Sequence, residues 1–503
     1  MSSAPTAISE TRKTSQLHHG ALSLTGAVMQ GVTHIAPTAG VILILQSEVA
    51  TLGLATPFAF IIAIAIMFLI GISIAQLARF LPSAGGFYTY ISRTLDPRVG
   101  WFGGWINLLY DPFGTAIDLA ALGFVLNQAL VANYSVNFPW WATFVIAGVI
   151  VTAIIYRGIE ITGRTQLILG GLEILLLVAV SVHALISPGP GGISGAPFDP
   201  GNASKGSDVF AAIILAVFTF TGFESTAPLA EETARPRRNV PRAMLISLAI
   251  VGAFVVFCLW ALMIGWGLNR LPAMVSYAGN PVFDVAHRLW GPAWVLILLA
   301  IVNSLLSVSV ATSTSATRVI YAMGRSSALP AWFGKIDARY GTPRNAIIAQ
   351  TVLTFALGLS LGFAMGPFNE FLMIGVAITV GLALLYVLAC FGVIKFFLTE
   401  QRRSFNLLLH IIIPIAAAVA VGFVVYHNVI PVPPYPINIA LPLAGGWAVV
   451  GIVTTVYLVR TGRTGWLNRA TQVFGETTEA SEISGASGNN NGAGEATPPT
   501  GQA

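Results

Sequence analysis

The sequence predicts an all-α membrane protein with twelve transmembrane helices. Three observations carry that reading. Only 9% of the 503 residues are charged and 55% are hydrophobic. A water-facing globular surface carries about a quarter charged residues, so a soluble enzyme is excluded at the outset. Apolar runs follow one another from residue 22 to residue 460, and each is near the roughly 20 residues that one crossing needs. The basic residues lie in small clusters between those runs, and the clusters alternate in strength from one connection to the next.

Taken in order, the expected spans are 22–46, 55–79, 97–126, 139–157, 163–186, 208–230, 241–267, 292–322, 344–364, 368–397, 406–427 and 438–460. The stretch 82–95 (PSAGGFYTYISRTL) is too polar for a span and reads as a short helix lying at the membrane surface. The stretch 280–290 (NPVFDVAHRLW) reads the same way on the other side.

With the N-terminus cytoplasmic, 22 of the 25 Lys and Arg residues fall on the cytoplasmic side, leaving only Lys205, Arg270 and Arg288 outside. That asymmetry is what the positive-inside rule requires. One span more or fewer would scramble it, so both termini are expected to be cytoplasmic in a multi-pass protein of the cell membrane. The net charge of +5 is not read as a nucleic-acid signal, because no basic tract of five or more occurs. Cys258 and Cys390 lie inside apolar runs and offer neither a disulfide framework nor a metal spacing. No cofactor or metal is expected. Residues 1–20 and 475–503 are polar and read as disordered cytoplasmic tails around one transporter domain at 21–465.

Two spans carry helix-breaking residues at their middles. Span 1 contains MQGVTHIAPTAGV, with Gly31, Thr33, His34, Ala36 and Pro37. Span 6 contains FTFTGFESTAPLAEE, with Gly222, Glu224 and Pro228. Irregular backbone at bilayer depth is tolerated only where it faces protein or a water-filled cavity. Two such helices five spans apart suggest an inverted repeat, about 21–186 against about 208–397, with extra helices at about 406–460. Transporters built this way bind substrate at the midplane between the broken helices. The plainer alternative is that Gly and Pro act there as packing notches.

Ionisable groups inside the spans need an explanation, because charge is expensive in a bilayer. They are Asp111 and Asp118 in span 3, Glu173 in span 5, Glu224 in span 6 and His34 in span 1. Asp111 and Asp118 share a helix face. Asp118 also reads as an outer-vestibule residue wetted by solvent. Glu173 stands among apolar neighbours and is the first candidate to carry a proton or hold a cation. Span 8 carries Ser307, Ser309, Thr312 and Ser313; their hydroxyls suit either Na⁺ coordination or helix packing. Phe218, Phe220 and Phe223 flank the second break as rings that close over a substrate or as ordinary packing. In the loop at 229–243, Glu231 and Glu232 can pair with Arg318 or Arg325 as a cytoplasmic gate, or simply be solvated.

Three stretches resemble bacterial permeases of the amino acid–polyamine–organocation family: GGFYTYISRTLDPRVGWFGGW at 85–105, FTGFESTAPLAEETARPRRNVPRAM at 220–244 and RVIYAMGRSSALPAWFGKIDARYGTPRNAI at 318–347. The resemblance implies a leucine-transporter-like fold of five plus five inverted spans with two extra, and proton-coupled uptake or exchange of amino acids or amines. Relatives hold the substrate carboxylate on a Gly-x-Gly stretch; here Gly31-Val32-Thr33-His34-Ile35-Ala36-Pro37 stands in its place. Relatives also carry a span 5 lysine about seven residues after a Gln; here Glu173 follows Gln166 at that offset. An amine-bearing or cationic substrate is favoured by these departures.

The sequence thus reads as a secondary transporter of amino acids or related amines. Gly31, Thr33, His34, Ala36, Asp111, Phe218, Phe220, Thr221 and Gly222 are its expected substrate contacts. Glu173, Ser309, Thr312 and Ser313 are its expected coupling groups, and Glu231, Glu232 and Arg318 its gate. Sodium coupling on the same fold is the first alternative and a membrane sensor without transport the second. No nucleophile, base or metal cluster at useful spacing supports an enzyme.

Overall fold

Pro37 decides where the first apolar run is interrupted, since it has no N–H to give and its ring clashes with the preceding turn. Helix α1 (Leu24–Ile35) starts at Ser23, whose Oγ accepts the Gly26 N–H at 3.2 Å, and stops at Ala36, in the left-handed region at φ 52°. Helix α2 (Pro37–Leu52) then carries the run onward. This computed structural model describes residues 17, 19–203, 208–430, 432–461 and 465. Among them every regular element is helical, apart from one parallel bridge between Leu22 and Thr233.

The remaining helices follow the expected runs closely. They are α3 (Thr56–Phe80), α4 (Phe87–Thr94), α5 (Pro97–Tyr134), α6 (Trp140–Tyr156), α7 (Ile159–Ile186) and α8 (Asp208–Thr219). A 3₁₀ helix at Phe223–Leu229 precedes α9 (Pro236–Trp266), α10 (Leu271–Val275), α11 (Pro281–Trp290) and α12 (Val295–Arg325). The chain ends in α13 (Arg344–Met365), α14 (Pro367–Thr399), α15 (Ile413–Val429) and α16 (Ala440–Arg460). Eight segments among the described residues are long and apolar enough to cross a membrane, and Trp140–Tyr156 and Gly170–Ile186 are shorter apolar helices. The expected tails lie outside the described residues, apart from 17, 19 and 20.

Segment 82–95 forms the expected short helix, α4, over Phe87–Thr94, and it is packed into the protein, with all of the helix's residues except Arg93 buried. It packs against α5, Thr94 Oγ1 bonds back to the Tyr90 carbonyl at 2.7 Å, and the Tyr88 hydroxyl meets Ser326 Oγ at 2.7 Å. Thr89 Oγ1 also meets Ser83 Oγ at 3.0 Å, whereas the Tyr90 hydroxyl and Ser92 Oγ are buried without a hydrogen-bond partner, so the polarity of this stretch gave no measure of its exposure.

Helix α5 is central. It packs along α12 and α14, with α6, α13 and α16 also against it, while α1 and α3 pack on α9. Its N-cap is Asp96, which accepts the Arg98 N–H at 2.7 Å, and Pro97 opens the first turn. Helix α16 is fixed to it by a reciprocal pair. Each of the Trp105 and Trp447 indole N–H groups donates to the other's carbonyl at 2.9 Å, and the two rings stack at 4.7 Å.

Trp447→Ala removes that stack and one of the two bonds. A loss of about 2 kcal/mol is expected, less than for a fully buried tryptophan, since Trp447 is only partly buried. The check is the melting temperature of the purified protein in detergent, and an unchanged value would show that the pair contributes nothing to docking α16.

Candidate functional site

The two interruptions in the helices meet. Gly222, at φ 114°, ends the irregular turn after α8. It sits so close to the first break that an added Cβ would lie 2.5 Å from His34 Cδ2 and 2.9 Å from the His34 carbonyl carbon and oxygen. Only glycine satisfies both that conformation and that approach. The loosened backbone is tied down locally. Thr221 Oγ1 donates to the Phe218 carbonyl at 2.8 Å, and Glu224 Oε2 accepts the Gly222 N–H at 3.1 Å. The other Glu224 oxygen accepts the Tyr386 hydroxyl at 2.9 Å.

Beside this junction lies a cavity of about 70 Å³, walled among others by His34, Ala36, Tyr110, Asp118, Phe218 and Thr221. His34 Nε2 is hydrogen-bonded to the Tyr110 hydroxyl at 2.9 Å and lies 3.7 Å from Asp111 Oδ1. Asp111 Oδ2 accepts from Ser315 Oγ at 2.7 Å and from Asn107 Nδ2 at 3.2 Å. Around the same break, His34 Nδ1, Thr38 Oγ1, Asp111 Oδ1 and Asp118 Oδ2 are buried without a hydrogen-bond partner. Buried polar atoms are nearly always paired; of these four residues, His34 and Asp118 line the cavity and Thr38 and Asp111 do not.

The other expected contacts divide. Thr312 also lines the cavity, and Thr115 Oγ1 joins it at 2.9 Å and Ser313 Oγ at 3.1 Å. Gly31 faces Ser247 instead, Thr33 Oγ1 bonds back to the Met29 carbonyl, and Phe220 packs edge-on against Phe60. None of these three lines the cavity. Ser309 donates to the Leu305 carbonyl of its own helix at 2.7 Å, and Thr312 to that of Val308 at 2.9 Å.

Glu173 is 1% exposed. Its oxygens accept from Asn303 Nδ2 at 2.9 Å and Ser304 Oγ at 3.0 Å, and Ser304 Oγ in turn accepts the Ala39 N–H at 3.2 Å. The chain Glu173–Ser304–Ala39 therefore links α7 and α12 to the first turn of α2, directly after the break.

Glu232 and Arg318 form a bidentate pair at 2.9 and 3.0 Å with both side chains at most 2% exposed, and Arg325 grips Glu231 at 2.8 and 2.6 Å. Glu231 Oε1 also accepts the Ala84 N–H at 3.1 Å. Beside these pairs the chain start is laced to the same loop, with the Leu22 N–H donating to the Glu232 carbonyl at 2.9 Å and the Ala234 N–H to that of Leu22 at 2.8 Å. Burial alone would raise the Glu231 carboxyl, but the Arg325 guanidinium and the Ala84 N–H outweigh it and hold the group below its ordinary value. Its stabilising contribution is therefore complete above the ordinary carboxylate range and is lost only as pH falls below it.

Sequence reasoning missed two buried acids, Glu48 on α2 and Glu370 on α14, whose oxygens have no hydrogen-bond partner. The signal was available, since each is a lone acid at the edge of an apolar run, but both lay outside the group singled out within the spans. Tyr110, Ser304 and Asn303 were not findable, because nothing local marks them.

With this geometry in view, comparison with known proteins is decisive at one level. Residues 26–440 match the amino acid permease family. The chain belongs to that family. This permease is 26% identical over 424 residues to the low-affinity putrescine importer PlaP of Escherichia coli, covering 80% of this chain and 87% of that protein. It is 27% identical over 325 residues to the histidine permease HisP of Lactococcus lactis, covering 61% and 66%. The branched-chain amino acid permease BcaP of the same organism is 25% identical over 327 residues, with 61% and 68% covered.

Two substitutions test the permease's site. Gly222→Ala forces a Cβ into His34 and an L-residue into a strained conformation, so transport is expected to fall at least about tenfold with a lowered melting temperature, a combined cost of 1–3 kcal/mol or more. Arg318→Ala leaves Glu232 buried without its partner, at about 3–5 kcal/mol, whereas the double change with Glu232→Gln restores part of that stability. Thermal melts of the single and double variants decide it, and equal melting points would rule out a coupled pair.

Proposed function

We propose that this permease is a secondary active transporter that moves amino acids or related amines across the cell membrane by alternating access. The observation that carries the reading is the cavity at the point where two interrupted helices touch. Irregular backbone beside a cavity at mid-membrane is how such transporters expose main-chain polar groups to a solute. The expected twelve crossings, two five-helix repeats and cytoplasmic termini are part of the proposal. In that orientation the Glu232–Arg318 and Glu231–Arg325 pairs lie on the cytoplasmic side, and with them intact the permease is closed toward the cell interior. The relatives that are importers or permeases of putrescine, histidine and branched-chain amino acids support solutes of this class.

Proton coupling through Glu173 is the favoured driving force. Its carboxyl meets an amide and a hydroxyl, and Ser304 relays its state to the Ala39 N–H at the start of α2. Taking up or giving off a proton there changes what Ser304 must donate to, and so changes how the second half of span 1 is held. Sodium coupling is the second reading: Ser309 and Thr312 donate to carbonyls of their own helix, which leaves their oxygen lone pairs free to face a cation.

Reconstituted vesicles separate these readings. Uptake of radiolabelled amino acids or amines should rise with an inward proton gradient and stay unchanged with a sodium gradient. Glu173→Gln should abolish the gradient-driven part while leaving exchange of internal for external solute. Undiminished proton-driven uptake by that variant would remove Glu173 from the coupling step, and saturable binding with no flux would restore the sensor reading.

A further inference from the structure

We infer that the groove between α6 and α13 binds one phospholipid with an anionic headgroup, its phosphate held by Arg157 and one acyl chain laid along the helix pair. The groove shares no lining residue with the cavity at the two breaks, and its assignment does not depend on the transport reading.

Glycine sets where the two helices touch. A Cβ on Gly148 would lie 2.6 Å from the Phe355 ring, and one on Gly358 would run into the Phe144 ring. One turn further along α6, Thr152 Oγ1 and Thr351 Oγ1 meet at 3.1 Å. Beside these contacts runs a groove of about 400 Å³, with Val149, Ala153 and Phe355 as its apolar wall. Val149, Ile348 and Val352 are exposed on the same pair of helices. Both helices are apolar, and on the proposed crossings such a face meets acyl chains, which are as apolar as leucine.

Toward the end of α6 the lining turns polar, with Tyr156, Arg157 and Tyr340. The two tyrosine rings meet edge to face at 5.6 Å, and the Arg339 guanidinium lies 5.2 Å over the Tyr340 ring. Arg157 and Arg339 are exposed, and neither forms an ion pair with an acid among the described residues. Asp337 is engaged, since it accepts the Arg339 and Tyr340 N–H groups at 2.9 and 3.1 Å and the Tyr156 hydroxyl at 3.3 Å. No acid among the lining residues answers the ammonium of a zwitterionic headgroup, so the charge here complements a net-anionic one. The opposite ends of the same two helices, over 127–145 and 358–372, contain no Lys or Arg. Guanidinium on phosphate, tyrosine at the interface and methyl groups along the wall together match one lipid molecule. In the proposed orientation the basic end is cytoplasmic, the side on which anionic lipids attract basic residues.

The test is native mass spectrometry of the full chain, delipidated and then offered phosphatidylglycerol or phosphatidylcholine with the same acyl chains. Phosphatidylglycerol should be retained about fivefold more strongly, the size expected of one basic residue at an anionic lipid surface. Arg157→Gln should erase that preference, and Arg157→Lys should keep most of it. Ala153→Trp, at an exposed position of the groove wall, should cut retention of both lipids. Equal retention of the two lipids by the wild type, or a preference that survives Arg157→Gln, would overturn the inference. A preference abolished by inorganic phosphate yet untouched by Ala153→Trp would also overturn it, by showing an anion site with no place for a chain. A lipid-free dimer broken by Ala153→Trp would overturn it too, by assigning the face to a second copy.

Discussion

The contact between Gly222 and His34 is the constraint on which the rest of the site depends. Two main chains come within van der Waals distance only because one residue has no side chain and adopts a left-handed conformation. That approach brings the ends of α1, α2, α8 and the following 3₁₀ turn to one place. It interrupts regular hydrogen bonding among buried residues, so every freed group must find a partner in the protein or face a cavity. Glu224, Thr221 and Ser304 supply partners; His34 and Asp118 line the cavity with unpaired atoms.

Electrostatics divides the permease into two zones. Asp118 lines the cavity with no Lys or Arg among the other lining residues, whereas Glu231 and Glu232, in the loop after the second break, are each clasped by an arginine. A buried bidentate pair is a poor source of net stability but a strong determinant of geometry, because breaking it strands a charge. The backbone bridge from Leu22 to Thr233 beside it ties the segment before α1 to the same loop.

Much of this was legible in the chain itself. Pro37, Gly222 and the density of charge at 229–243 are local signals, and each marks a feature that the fold retains. Glu173 stood out because an acid among leucines has no local explanation. What escaped was of two kinds. Glu48 and Glu370 sat at the edges of apolar runs, where an acid is ordinarily wetted. Ser304, Asn303 and Tyr110 are unremarkable in sequence and acquire meaning only from partners 131, 130 and 76 residues away.

The order of apolar runs and the two weak points in the helices were determined by the sequence alone, because hydropathy and proline chemistry act over a few neighbouring residues. Which expected contacts share a wall was decided only by the tertiary structure. Helix rotation about its axis sets that outcome, and rotation is fixed by packing against other helices rather than by any local preference. Thus Asp118, which the linear pattern placed at a wetted rim, came to line the cavity beside His34, while Gly31 and Phe220 were turned away into the packing around them.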